Sequence, residues 1–380
     1  MFPNTKTPGG FKSDHLRSIT YGELAVAITL APKELKKLFP TDILFQTTFW
    51  GQVKARIGWE PRAFDIASDD ARSDVLLLNQ PFGDNRVAAY IPQGPEYAPT
   101  PENYGVYLEE LAEKLVPHLD SRTAFIRFDL PWLSPFADCG FDDAIIPAAR
   151  VQEMRMNYGT SSWNFIKSVS DMTVASCMIV DIADDEQNIL ARMKPKTRYN
   201  IGLAGRKGVQ TFIAGIDSLP AFYDLYLQTA GRNKFLVCDY DHFHALFSVF
   251  EQNNQETEVV FMLSRHDNDL LAGVIMAISG RTALFLFGAS SDHKRNLMGS
   301  YAVHWEAIRQ ARLRGCTEYD MGGVSPGMNP GHPFYGLYCF KSGFGGRLIH
   351  RSGTWDFPLD KDAYTAFRNA ETILCGLGGS

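Results

Sequence analysis

Leu270-Leu-Ala-Gly-Val-Ile-Met-Ala-Ile278, followed after a three-residue break by Thr282-Ala-Leu-Phe-Leu-Phe287, is the stretch from which the fold is read. Two short apolar runs separated by a turn containing glycine read as successive strands. Working outward, Ser300 is placed to cap a helix in which Tyr301, Trp305 and Ile308 fall at i, i+4 and i+7, and Gly315 ends it. Glu318-Tyr-Asp-Met321 then reads as the next strand. The same order occurs earlier. Val75-Leu-Leu-Leu-Asn79 and Val87-Ala-Ala-Tyr-Ile91 read as strands, and a helix from about Glu102 to Leu119 puts Tyr107, Leu108, Leu111 and Leu115 on one side. Thr123-Ala-Phe-Ile-Arg-Phe128 follows as a strand ending in Asp129-Leu-Pro131. Strand–strand–helix–strand occurring twice predicts an α/β chain of two related domains, each with its own sheet, around a cleft.

Composition agrees with two domains. The 380 residues exceed one usual domain, and 45% hydrophobic content with 26 phenylalanines supplies ample core. No run of eighteen apolar residues is present, so no membrane-spanning helix is expected. Met1-Phe-Pro-Asn-Thr-Lys-Thr-Pro-Gly-Gly10 lacks the apolar core of a secretion signal. The six cysteines (139, 177, 238, 316, 339 and 375) show no CxxC and no metal-ligand spacing, which suits reduced, buried thiols in a cytoplasmic protein. A net charge of −6 argues against broad adhesion to nucleic acid, but leaves room for a nucleic-acid end held by a local basic patch. Basic residues cluster at Lys194, Lys196, Arg198, Arg206 and Lys207, and again at His293-Lys-Arg295; solvated surface is the plain reading of each.

Two segments carry chemistry. Gly336-Leu-Tyr-Cys-Phe-Lys-Ser-Gly-Phe-Gly-Gly346 sets one cation, Lys341, among aromatics and glycines. Glycine permits close backbone approach, aromatic rings stack on a flat ligand, and an ammonium holds an anion or a developing oxyanion. Taken alone, a glycine-rich turn with a solvated lysine would account for it. The second is Met193-Lys-Pro-Lys-Thr-Arg-Tyr-Asn-Ile201, where Pro195 suits the first turn of a helix and Gly208 its stop. Arg198, Gly202 and Gly205 share a face there, and glycines so placed cost roughly 1 kcal/mol each, which points to close packing or a close ligand.

With these segments go Gln46-Thr-Thr-Phe-Trp-Gly-Gln-Val-Lys54, Tyr90-Ile-Pro-Gln-Gly-Pro95, Phe125-Ile-Arg-Phe-Asp129 and Phe222-Tyr-Asp-Leu-Tyr-Leu-Gln-Thr-Ala-Gly-Arg232. His304-Trp-Glu-Ala-Ile308 leads on to Tyr319-Asp-Met-Gly-Gly323. In this order and spacing the set resembles the FemABX family, the aminoacyl-tRNA-dependent transferases that build peptidoglycan interpeptide bridges. The resemblance implies two acetyltransferase-like (GNAT-type) domains, residues 1–155 plus 347–380 and residues 156–346, with the tail returning to the first. Only about twenty polar residues, Asp239 to Glu258, occupy the region where some members insert a coiled-coil arm, so the chain is similar to the armless FemX type.

The implied reaction is attack by an amine of the muramyl-pentapeptide stem on the ester of an aminoacyl-tRNA. The ester is already activated, so no cofactor and no metal are expected. Positioning can supply up to about 7–11 kcal/mol of such a barrier. By resemblance, Lys341 acts at the ester and Phe340 stacks on the terminal adenine. Lys54 and Arg232 grip the acceptor's diphosphate. Trp50 packs beside Lys54, while Lys196 and Arg198 are further binding candidates. Asp129, at a strand end, is the nearest candidate general base, and Asp320 an anchor for the loop that follows it.

The partners expected are the aminoacyl-tRNA 3′ end and the muramyl-pentapeptide precursor, nucleotide- or lipid-linked, with peripheral contact at the inner membrane face left open. Two other readings stand beside this one. An acetyl-CoA-dependent N-acyltransferase would want (Arg/Gln)-x-x-Gly-x-(Gly/Ala) before its central helix, but Arg295 and Gly299 are one residue too far apart. A non-catalytic tRNA- or precursor-binding protein would not need Phe340-Lys341 together with Lys54 and Arg232.

Overall fold

The computed structural model describes residues 27–68, 71–83, 85–137, 146–252 and 256–378; Met1–Gly10 and Cys139 lie outside the described residues. The first half runs β1 (Thr29–Lys33), α1 (Thr48–Arg56), β2 (Glu60–Ala67), β3 (Arg72–Phe82), β4 (Arg86–Ile91), α2 (Tyr104–Leu115), β5 (Thr123–Leu133) and α3 (Ala149–Met156), then a short β6 (Ile166–Lys167). After β7 (Ser176–Asp181) come α4 (Glu186–Arg192), α5 (Pro195–Arg206), β8 (Gln210–Ile213), α6 (Leu219–Asn233) and α7 (Tyr240–Gln252). Then follow β9 (Thr257–His266), β10 (Asp269–Ser279), β11 (Thr282–Ser290), α8 (Gly299–Leu313), β12 (Glu318–Gly323), α9 (Tyr335–Lys341), β13 (Arg347–Pro358) and α10 (Lys361–Gly378).

The repeat read from the sequence is present with the same pairing in both halves. β3 and β4 are antiparallel and β5 is parallel to β4 across α2; β10 and β11 are antiparallel and β12 is parallel to β11 across α8. The sheets are not separate, contrary to expectation. The strand order is β1-β2-β3-β4-β5-β13-β7-β12-β11-β10-β9-β8, a path that mirrors itself about its middle. The join is β13. Arg347–His350 pair with β7, and from Arg351 onward the strand pairs with β5 across a register shift between Arg351 and Gly353. Gly353 sits at φ +71, a backbone position that admits glycine readily, and it turns the strand from one sheet to the other.

Of the four apolar clusters among the described residues, three set the layout. Tyr107, Leu108, Leu111 and Leu115, spaced as on one helix face, bury α2 on the first half-sheet. Val303, Ala307, Ile308 and Ala311 bury α8 on the second. A third core joins the halves: Phe49, Trp50 and Val53 of α1 pack with Phe222 and Tyr226 of α6 and with Phe243, Leu246 and Phe247 of α7. The Asp239–Glu258 stretch is therefore largely a core helix, because its apolar residues recur at helical spacing among the polar ones.

Local expectations meet several other corrections. Ser300 makes no cap: α8 starts at Gly299 after Met298, which stands in the left-handed region. β5 continues through Asp129 to Leu133. Pro195 does open α5, and Gly208 at φ +79 follows its end, but an added Cβ at Gly205 would meet nothing within 4 Å, so close packing does not explain that glycine. Of the described cysteines, 177 and 316 are buried, 238 is half-buried, and 339 and 375 are exposed.

Candidate functional site

Parallel pairing between β11 and β12 covers Thr282–Leu284 against Glu318–Asp320, after which β11 runs on to Ser290 without β12. The strands part at Phe285. In the first half the corresponding opening is laced shut: Gly94 N donates to the Asp129 carbonyl at 2.9 Å and Trp132 Nε1 to the Pro95 carbonyl at 2.8 Å. The wedge in the second half is where Lys341 lies.

Lys341 is the last residue of α9, a helix and not the solvated glycine-rich turn that the segment taken alone would allow, and only 4% of its surface is exposed. Its ammonium donates to the Gly323 carbonyl at 2.8 Å and stands 5.3 Å from the centre of the Phe285 ring. Gly322, at φ +74, turns the chain so that this carbonyl faces the lysine, and the Gly322 N–H is held by Asp320 Oδ1 at 2.7 Å. Asp320 in turn pairs with Arg351 at 3.1 Å. Among the described residues no carboxylate lies within ion-pairing distance of Lys341. Burial pulls its pKa down from 10.5 to about 8, against the pull of Asp320 and of Cys177. At neutral pH such an amine is still about nine-tenths protonated. His304 of α8 lies beside it, with Nδ1 3.1 Å from the Tyr319 hydroxyl; burial, then the Lys341 charge, pushes its pKa down to about 3, so the imidazole is neutral. Phe340 is half-buried and packs edge-on to Tyr301, His304 and Phe344 at 5.0–5.4 Å.

A second group of residues forms where α1, α6 and α7 meet. Lys54 Nζ stands 4.8 Å from the ring centres of both Trp50 and Trp59. Burial lowers its pKa to about 8 against the pull of Cys238, and the two ring faces suit a cation. Opposite stand His242, whose pKa burial and the Lys54 charge lower to about 4, and Cys238. Arg232, in the last turn of α6, donates to the Ser290 carbonyl and hydroxyl, both at 2.9 Å, and approaches Asp292 at 3.3 Å.

The other candidates stand apart. Asp129 is fully buried at the centre of the sheet; its carboxylate accepts from the Tyr90, Thr173 and Thr354 hydroxyls at 3.3, 2.7 and 3.0 Å, and burial raises its pKa. Arg198 is committed to the carbonyls at the end of α4, those of Leu190, Ala191 and Met193. Lys196 is exposed on the first turn of α5. In the second basic cluster, Lys294 pairs with Asp269 and Arg295 with Asp292. Trp59 and Arg351 have no place in the sequence reading, and His304 enters it only as the start of a run matching the family, without a role. Trp59 carried a signal, since Gly58, at φ +88 just after α1, folds the chain back toward Lys54.

The matches to known proteins fit this geometry. Residues 36–264 and 253–372 match the FemAB family, which is most of the chain. The chain belongs to the FemAB family. Among its relatives is a lipid II:glycine glycyltransferase of Staphylococcus epidermidis, 31% identical over 86% of this chain and 91% of that protein. The enzyme of the same name from Staphylococcus saprophyticus is 21% identical, over 89% and 93%. The crystal structure of FemX superposes with a TM-score of 0.67, covering 88% of this chain and 96% of FemX at 18% identity, so the FemAB member described here has the FemX fold.

Proposed function

We propose that this FemAB protein is an acyltransferase that moves an amino acid from aminoacyl-tRNA to an amine of the peptidoglycan precursor's stem peptide. The observation that carries the reading is Lys341, a buried ammonium with no ion-pair partner among the described residues, at the point where two parallel strands part. The membership of the FemAB family and the glycyltransferase names of two relatives support the same reaction class. In the step, the amine nitrogen bonds to the ester carbonyl carbon and the carbon–ribose oxygen bond breaks. The amine attacks in its neutral form, and the proton its nitrogen loses passes to the ribose oxygen, which departs as a hydroxyl. Lys341 stabilises the tetrahedral oxyanion, held in place by the Gly323 carbonyl. Phe340 lies in the adjoining aromatic cluster as the adenine's neighbour, and Lys54 and Arg232 take the acceptor's diphosphate.

Asp129 acts in this reading as the knot of a hydroxyl network. Arg198 ties α4 to α5, and Trp50 and Trp59 shape the Lys54 cage. The domain division that goes with it is 1–155 plus 347–380 and 156–346, with β13 shared at the boundary. The test is incubation with a panel of radiolabelled aminoacyl-tRNAs and both nucleotide- and lipid-linked muramyl-pentapeptide, following label into the precursor. Transfer that depends on Lys341 is expected. Acetyl transfer from acetyl-CoA, with none from any charged tRNA, would replace the reading with an ordinary N-acetyltransferase.

A further inference from the structure

Strand β12 leaves its ladder just where it meets Lys341. It pairs with β7 as far as Asp320 and again at Gly323, with a register shift between the two. The bulge between them, with Gly322 at φ +74, turns the Gly323 carbonyl toward the ammonium 2.8 Å away. A bulged residue lies outside the ladder, and here the Asp320 carboxylate holds it. Asp320 Oδ1 accepts from the Gly322 N–H at 2.7 Å, and Oδ2 accepts from Arg351 Nη2 at 3.1 Å. Arg351 is itself fixed from both half-sheets. It pairs with Leu133 of β5 at the register shift of β13, its backbone N–H donates to the Ala175 carbonyl at 2.8 Å, and its Nη1 reaches the Cys177 sulfur at 3.4 Å.

The groups around Lys341 show what this chain of contacts achieves. His304 is neutral, and burial raises the pKa of the Tyr319 hydroxyl, and of the Cys177 thiol to about 12, so both stay protonated. Asp320 is the carboxylate whose charge pulls on the lysine, and Arg351 occupies it. Left unoccupied, that carboxylate would draw the ammonium away from the Gly323 carbonyl and into an ion pair. An ammonium so engaged is a poor donor to a developing oxyanion. We propose that Arg351 is the positioning residue of the Lys341 centre: it holds Asp320 on the Gly322 bulge and away from the ammonium, which leaves Lys341 free for the reacting ester. The inference rests on the function proposed above and adds to it a residue that acts through two others.

The experiment compares Arg351→Met, Arg351→Lys and the double variant Arg351→Met with Asp320→Asn against the parent. Each is assayed for aminoacyl transfer and titrated by NMR with isotope-labelled lysine, the Lys341 signal being assigned by its loss in Lys341→Met. Arg351→Met should lower kcat about tenfold or more with both KM values nearly unchanged. The Lys341 midpoint should rise by about 1 pH unit or more from its place near 8. Arg351→Lys should recover most of the turnover. The double variant should also turn over faster than Arg351→Met, since an amide oxygen at position 320 still accepts from Gly322 but carries no charge to capture the ammonium. Arg351→Gln takes the place of Arg351→Met if the latter does not fold, with the same outcomes. A loss of stability with kcat and the Lys341 midpoint unchanged would make Arg351 an ordinary structural ion pair and overturn the inference, as would a double variant no faster than the single one. Absence of transfer in the parent would instead defeat the proposed function, with the titration still deciding whether Arg351 governs Lys341.

Discussion

Replacing Lys341 by methionine should stabilise the protein while disabling it. The side chain is 4% exposed and its pKa falls from 10.5 to about 8, so the charged form is disfavoured by folding. At about 1.4 kcal/mol per pH unit, that gap amounts to about 3 kcal/mol of destabilisation. Below pH 8 the lysine is protonated in both folded and unfolded states, and the cost is fully present. Between about 8 and 10.5 the unfolded chain binds more protons, so stability rises with pH, and above 10.5 the cost is gone. Methionine has similar length and no charge, but it leaves the Gly323 carbonyl without its 2.8 Å donor, a loss of about 1 kcal/mol. The net expectation is a gain of about 2 kcal/mol at pH 7, shrinking through pH 8 to 10 until the parent overtakes the variant. Removal of an oxyanion donor should lower kcat by about 10²–10³. Urea titrations of both proteins across this pH range, paired with turnover, provide the assay. A variant less stable than its parent at pH 7, or a stability difference that does not change with pH, would refute the burial argument; near-normal turnover would remove Lys341 from the chemistry.

Three further outcomes follow from named contacts. Arg232→Ala should raise the KM for the acceptor about tenfold and leave that for charged tRNA unchanged, since a charge-assisted bond to phosphate contributes about 1.5–3 kcal/mol; steady-state kinetics with each substrate varied would expose the reverse pattern. Asp129→Asn should keep turnover within a few-fold, because the amide oxygen can still accept from Tyr90 and Thr173 while the amide NH2 donates to the Thr354 hydroxyl, whereas a loss of several orders of magnitude would restore Asp129 as the general base. Arg127→Met should destabilise by about 3–5 kcal/mol, measured by chemical denaturation, because it strands Asp356 and Glu371, which now receive paired bonds of 2.6–3.0 Å from the buried guanidinium. Helix α10 is held to the sheet by this cluster, so its fluorescence-labelled end should lose order first; a stability change near zero would show the cluster to be dispensable.

What the sequence by itself determined is the doubled framework. The short apolar runs of β3, β4, β10 and β11, the 3.6-residue period of α2 and α8, and the glycine after α8 all act over a few neighbours, so they are legible without the fold. Recognition of Phe340-Lys341, Lys54 and Arg232 likewise needed only local runs of residues. The tertiary structure alone decided the rest. That β13 serves both sheets depends on partners some two hundred residues upstream of it on β5 and β7. That Lys341 is buried against Gly323 rather than solvated, that Lys54 stands between two indoles opposite α7, and that Asp129 is enclosed by three hydroxyls depend on segments distant in the chain. Burial sets the pKa of each such group, and burial comes from whichever strands and helices close over it; no window of neighbouring residues contains that information.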